Sequence, residues 1–188
     1  LNHALIGPYQ EWINARNLAS FDVEKNIGLI EKTMPININS HMIISTLLYP
    51  YLERNSAKIV YTSSLAGYGI QPYVSVYSAS KHGISAFFEN WRTELAINAC
   101  KVSITICKLA MVATNASIST AGPVLSEAIV QRAASPNYVA RRIISGGQHR
   151  LKFVYAPFLE GMAVGFVSKI STTLYTAITC KVNYGRFW

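Results

Sequence analysis

The alternation of strand-like and helix-like segments predicts an α/β fold built on parallel strands. Three observations carry this. Residues 58–63 (KIVYTS) and 101–109 (KVSITICKL) are short runs rich in β-branched types, as strands covered on both faces should be. Between them, residues 77–99 place Ala79, Ile84, Phe87, Phe88, Trp91, Leu95 and Ala96 near a period of three to four, the mark of a helix with one buried face. A strand–helix–strand connection this long joins parallel neighbours through a right-handed crossover.

The other elements follow in chain order. Residues 29–52 read as a helix, with Ile36, Met42, Ile43, Ile44, Leu47 and Leu48 at mixed spacings and Pro35 placed to kink or cap it. Leu65-Ala66-Gly67 breaks the first strand. Residues 110–123 are small and polar and read as a loop. Residues 137–144 read as a short helix, opened by Ser135-Pro136 and closed by Gly146-Gly147. Residues 152–156 are a third, shorter strand. From Phe158 the chain is apolar, aromatic and basic, with a helical pattern. Ligands of open parallel sheets sit at the carboxyl ends of the strands, which directs attention to Ser63-Ser64 and to residues 109–114.

Composition bounds the function. The chain has 188 residues, the length of one domain, with 51% hydrophobic and 14% charged types, which excludes disorder. Mean hydropathy is +0.23, yet no stretch gives the roughly 20 uninterrupted apolar residues of a spanning helix. Leu1 stands where an initiator Met would, so the natural start is left open. The net charge of +8 lies wholly in the second half: residues 1–100 balance, and residues 101–188 hold ten Lys and Arg against Glu127 and Glu160. A solvated basic face and an anionic partner both fit this. Nucleic acid does not, because the cations are scattered and no recognition motif accompanies them. Cys100, Cys107 and Cys180 have no metal-site spacing, and the four histidines are isolated, so no metal is expected.

The chemistry is expected at Tyr77 and Lys81. Four apart at the start of a helix, they share a face. An ammonium beside a phenol favours the phenolate, lowers its pKa from ~10, and so makes a general acid/base. Ser64, at the end of the preceding strand, has a hydroxyl able to hydrogen-bond the oxygen on which Tyr77 acts. In a chain with eleven tyrosines a lone Tyr-x-x-x-Lys pair is expected by chance. Its weight comes from opening a helix after a strand that ends in Ser-Ser.

The run Ile59-Val60-Tyr61-Thr62-Ser63-Ser64-Leu65-Ala66-Gly67, followed by Tyr77-Ser78-Ala79-Ser80-Lys81, resembles the catalytic half of the short-chain dehydrogenase/reductase family. Its Ser-Ser-Leu-Ala-Gly turn, Val102-Ser103-Ile104-Thr105-Ile106-Cys107 and Ile143-Ile144-Ser145-Gly146-Gly147 are similar to the corticosteroid 11-beta-dehydrogenase (hydroxysteroid dehydrogenase) branch. The resemblance implies an incomplete Rossmann-type doubly wound parallel sheet forming a single partial domain. In it, residues 1–109 are the catalytic portion, 110–150 a substrate loop and the following helix, and 151–188 a strand and an apolar basic tail. It implies that Tyr77 exchanges a proton with the substrate, Lys81 holds the nicotinamide ribose and tunes Tyr77, and Ser64 polarises the substrate oxygen. Asn37, in Met34-Pro35-Ile36-Asn37, relays protons through water to Lys81, with Asn39 as the alternative register. Asn2 resembles the second Asn of the family's Asn-Asn-Ala-Gly motif beside the cofactor. Val112 and Thr114 match its Pro-Gly-x-Val-x-Thr run and would contact the nicotinamide amide and the phosphates. Ala110 stands there in place of Gly, at a cost of ~1 kcal/mol or more if its φ is positive.

The resemblance further implies NADP(H) rather than NAD(H), a steroid or other lipophilic alcohol or carbonyl, a homodimer when full length, and the endoplasmic reticulum membrane, with a cytoplasmic location as the alternative. The family's glycine-rich phosphate turn after the first strand is missing, and Gly67-Tyr68-Gly69 has the wrong spacing to replace it. Two explanations stand: a fragment of a longer reductase, or a short non-catalytic relative acting as a membrane-associated interaction module. As it stands the chain is expected to aggregate or be marginally stable and to bind NADP(H) weakly or not at all.

Overall fold

A computed structural model describes residues 4–8, 10, 12, 21–121 and 125–157, with scattered positions from 163 to 181. Three parallel strands, β1 (Lys58–Ser64), β2 (Ser103–Leu109) and β3 (Phe153–Ala156), form a sheet in the order β1-β2-β3. Lys58 pairs with Ser103 and Ser64 with Leu109; Ile106 pairs with Phe153 and Leu109 with Ala156. The expected α/β parallel fold is therefore present, and β1 and β2 end level with one another at Ser64 and Leu109.

Helix α3 (Ser75–Ile97) covers one face. Its Ile84, Phe88 and Leu95, four and seven residues apart, pack with Ile59, Tyr61, Val102, Ile104 and Ile106 in the main core. The central strand β2 is buried on both faces from Ile104 to Lys108, as its unbroken β-branched pattern requires. Lys108 is a cation inside that run. Its Nζ lies 3.5 Å from the Tyr68 ring centroid and 4.3 Å from that of Phe153, and 3.4 Å from Glu89 Oε1. Ring faces and a carboxylate replace the water such a group loses on burial.

The opposite face is covered by α6 (Pro136–Gln148). Gly146 and Gly147 do not close this helix; it runs through them. A Cβ on Gly146 would sit 2.1 Å from Val154 Cγ2, and one on Gly147 2.6 Å from Val60 Cγ2. The pair allows close approach of helix to sheet, a tertiary reason that replaces the expected C-cap.

The helix expected over 29–52 is longer. It runs from α1 (Val23–Met34), through a widened π-helical segment at Pro35–Asn39, into α2 (Ser40–Arg54). Asp22 caps its start, accepting from the Lys25 N–H at 2.8 Å. Hydrophobic periodicity misses this start because the buried residues of α1 are Asn26 and Thr33, while Val23, Ile27 and Ile30 are exposed. Pro35 does not end the helix either. The Ser40 N–H bonds the Pro35 carbonyl five residues back, so the chain absorbs the proline by widening one turn. The expected loop over 110–123 contains α4 (Asn115–Ala121), capped by Thr114, whose Oγ1 accepts from the Ser117 N–H at 3.2 Å. A further short helix, α5 (Glu127–Gln131), precedes α6.

Asn2, Val124, Phe158, Leu159, Met162, Phe166 and Cys180 lie outside the described residues. Among the described residues no helix is long and apolar enough to cross a membrane.

Candidate active site

Ser64 ends β1 in extended conformation and caps the 3-10 turn Leu65–Gly67, accepting from the Ala66 N–H at 3.1 Å. That turn lies directly against α3. A Cβ on Gly67 would come 2.8 Å from both Cβ and the carbonyl oxygen of Lys81, and Ser78 Oγ donates to the Ala66 carbonyl. The glycine therefore fixes how closely Ser64 approaches the residues on α3. Gly67→Ala is expected to cost about 1–3 kcal/mol, read as a lowered urea midpoint. An unchanged midpoint would contradict this packing.

Tyr77 and Lys81 lie on the first turns of α3, over the end of β1. The Tyr77 hydroxyl is hydrogen-bonded to Ser64, which acts to lower the phenol's pKa, but burial outweighs it and the pKa is raised. This corrects the expectation that the lysine sets a lowered value. Lys81 is 3% exposed. Its Nζ donates to Tyr61 Oη at 3.3 Å and to the Thr62 carbonyl at 3.1 Å, and it lies 5.8 Å from the Tyr77 ring centroid. Burial lowers its pKa from 10.5 to about 8.

That lowered value has a consequence for stability. The folded state gives up the lysine proton more easily than the unfolded chain does, so the cost of burying the ammonium is fully present below pH 8 and is relieved as pH rises from about 8 to 10.5. Lys81→Met is expected to stabilise the fold at neutral pH by about 1–3 kcal/mol, with part of the gain offset by the lost hydrogen bonds. The gain should shrink as pH rises through that window. Denaturant midpoints at neutral and alkaline pH check this, and a Met variant that is less stable at neutral pH would refute it.

Asn37, in the π-helical segment, is fully buried, whereas Asn39 is exposed. The Asn37 Oδ1 accepts from the Leu5 N–H at 2.7 Å, and its Nδ2 donates to the Leu5 carbonyl at 2.8 Å and to Ser80 Oγ at 2.9 Å. Ser80 Oγ in turn donates to the Tyr77 carbonyl at 2.7 Å. The Asn37 side chain thus ties three segments together, with both amide N–H groups donated and its oxygen accepting from Leu5.

Beyond β2, the Ala110 N–H bonds the Ala156 carbonyl at 2.9 Å. Ala110 is not among the residues with positive φ, so its methyl carries no backbone penalty. Val112 bridges to Ala134, and the Thr114 N–H reaches the Val112 carbonyl at 2.7 Å. Ser64, Tyr77 and Lys81 thus come together at the end of β1, and Asn37 joins them through Ser80. Val112 and Thr114 lie past the end of the adjacent strand, with hydrogen bonds to their own loop. Sequence reasoning missed Tyr61, Thr62 and Ser80 as partners of the site. The only signal was period-two alternation in β1, which puts Tyr61 on the face shared by Ile59 and Ser63.

A family model described as short chain dehydrogenase matches residues 17–122. The chain is 35% identical over 160 residues to a hydroxysteroid 11-beta-dehydrogenase 1-like protein of Gallus gallus, covering 84% of this chain and 50% of that protein. The protein of that description from Xenopus tropicalis is 28% identical over 158 residues, with the same coverage. The chain therefore spans about half the length of these curated relatives. Among solved structures, a short chain dehydrogenase from Burkholderia cenocepacia in complex with NADP superposes with a TM-score of 0.71 at 15% identity, over 94% of this chain and 67% of that one. A short chain dehydrogenase/reductase from Burkholderia phymatum in complex with NAD gives 0.61 at 21% identity, over 76% and 58%. At these identities the likeness is one of fold.

Proposed function

This chain belongs to the short-chain dehydrogenase family, and on that premise we propose that it carries the proton-handling part of an NAD(P)-dependent oxidoreductase interconverting an alcohol and a carbonyl. The observation that carries the reading is the hydrogen-bonded Ser64–Tyr77 pair beside the buried Lys81 ammonium, at the carboxyl end of a parallel strand. The donor set fits the nicotinamide-ribose end of a dinucleotide. Among the described residues Tyr61 and Thr62 take two of the three Lys81 N–H groups, and the third is assigned to a ribose hydroxyl. Among the described residues no strand–glycine turn–helix unit for the pyrophosphate is present, so the complete reaction is assigned to this chain together with the dinucleotide-binding half of such an enzyme.

A bound nicotinamide supplies or accepts the hydride, which no side chain can carry. The protein's own groups handle the proton and the oxygen. In the reducing direction the Tyr77 hydroxyl, kept protonated by its burial, gives its proton to the substrate oxygen. Ser64 donates to the same oxygen and polarises it. The Lys81 ammonium stabilises the phenolate left on Tyr77. Asn37, its amide held by Leu5 and Ser80, is assigned to relaying protons through water to Lys81. Val112 and Thr114 are assigned to the nicotinamide amide and the phosphates, and Asn2 to the strand beside them.

The substrate in this reading is a steroid or other lipophilic alcohol or carbonyl, supported by the names of the curated relatives, and the preferred cofactor is NADP(H), which rests on the branch resemblance. Homodimerisation is supported by the exposed Ile43, Leu47 and Tyr51 on α2. Residence at the endoplasmic reticulum membrane rests on the branch resemblance. The test is reduction of a ketosteroid panel by protein with its dinucleotide-binding half in place, with NADPH and NADH compared. Turnover that prefers NADPH is expected. Absence of turnover with either nucleotide across the panel would overturn the reading.

A further inference from the structure

We infer that Tyr61 is a positioning residue for Lys81, its phenol oxygen and the Thr62 carbonyl together holding two of the three ammonium N–H groups, with the Tyr77 ring centroid 5.8 Å from the nitrogen. The inference deepens the proposed site, and its geometry stands on the fold alone. Tyr61 is fully buried in the middle of β1. Its ring lies between His41, edge-on at 5.4 Å, and Phe88 at 4.9 Å, and its oxygen sits 3.3 Å from Lys81 Nζ. Behind it, Ser63 hydrogen-bonds the Tyr61 side chain and is itself 2.9 Å from Ser85 Oγ. Four buried polar side chains from β1 and α3 therefore form one network that ends on the ammonium.

Apolar packing alone would be served by a phenylalanine, which fills the same space between His41 and Phe88. What the hydroxyl adds is an acceptor for a buried cation. A flexible lysine stem carries several rotatable bonds, and two fixed acceptors remove most of that freedom. Burial also raises the pKa of Tyr61, so it stays a neutral phenol and does not compete with Tyr77 for the role of phenolate. The titratable groups facing this pair are Tyr77 from α3, His41 from α2 and Tyr61 itself from β1.

The test is an NMR titration of the Lys81 Cε resonance in the unliganded chain, assigned by its loss in Lys81→Met. In Tyr61→Phe the Lys81 midpoint is expected to fall by about one pH unit, a roughly tenfold loss of proton affinity, because the charged form loses an acceptor. A second readout needs no variant: in the wild-type chain the Tyr61 Cζ resonance should shift in step with Lys81, near pH 8. A Tyr61→Phe midpoint within about 0.3 units of the wild type, or a rise, together with a Cζ resonance that is flat through that range, would overturn the inference. Neither readout uses a nucleotide. A protein that binds no dinucleotide but shows both shifts would overturn the proposed function and leave this assignment standing.

Discussion

Tyr77→Phe is expected to lower turnover by about 10²–10⁴-fold, the range that a positioned general acid contributes, while leaving the fold intact. The substitution removes one oxygen from a half-buried ring and keeps its packing. It removes a hydroxyl that is hydrogen-bonded to Ser64, on a ring whose centroid lies 5.8 Å from Lys81 Nζ. Ser64 remains and still accepts from the Ala66 N–H, so the turn that carries it has its own support. The loss should appear in kcat and in kcat/KM together, since the proton moves only in the transition state. The thermal midpoint should stay close to that of the wild type. A Phe variant that keeps a tenth or more of wild-type turnover would remove Tyr77 from the mechanism.

Phe88→Ala should bring the largest loss of stability, about 3–5 kcal/mol. Phe88 is fully buried and stacks on Tyr61 at 4.9 Å, with Phe87 at 5.2 Å and Trp91 at 6.3 Å. It joins α3 to β1 in the main core. Removing the ring leaves a cavity that the rigid sheet cannot close. Against a total of about 5–15 kcal/mol for an ordinary domain, such a loss takes much of the folding free energy. Because Phe88 also backs Tyr61, the Lys81 geometry should loosen before the chain unfolds. Urea denaturation followed by far-UV circular dichroism measures the effect. A loss below about 1 kcal/mol would mean that the α3–β1 seam is held elsewhere.

The parts of the fold legible in the sequence were those whose buried faces are apolar. β1 and β2 stand out because both faces of the sheet are covered, and α3 because Ile84, Phe88 and Leu95 recur on one side. The start of α1 was hidden because its buried residues are the polar Asn26 and Thr33, of which Asn26 meets Gln10 and Trp12. α4 was hidden in a stretch of Ser, Thr, Ala and Asn, which matches a loop as well as a helix and needs the Thr114 cap to decide. Gly146-Gly147 carries the same letters as a helix stop, but its purpose is clearance from Val154 and Val60. At the candidate site, spacing and resemblance pointed to Ser64, Tyr77, Lys81 and Asn37. Tyr61 and Ser80 were invisible because their partners are set by how α3 crosses β1. The direction of the Tyr77 pKa was likewise misjudged, since burial is a tertiary quantity and here outweighs the neighbouring hydrogen bond.

The most direct measurement is isotope transfer from NADPH deuterated at the nicotinamide C4 to a ketosteroid, followed by mass spectrometry of the product in protein with its dinucleotide-binding half in place. With both C4 positions deuterated, one deuterium is expected in each molecule of product alcohol, and the rate at which labelled alcohol forms should fall about 10²–10⁴-fold in Tyr77→Phe. Unlabelled alcohol, or labelled alcohol formed at equal rates by wild type and Tyr77→Phe, would contradict the assignment of Ser64, Tyr77 and Lys81 as the reacting centre.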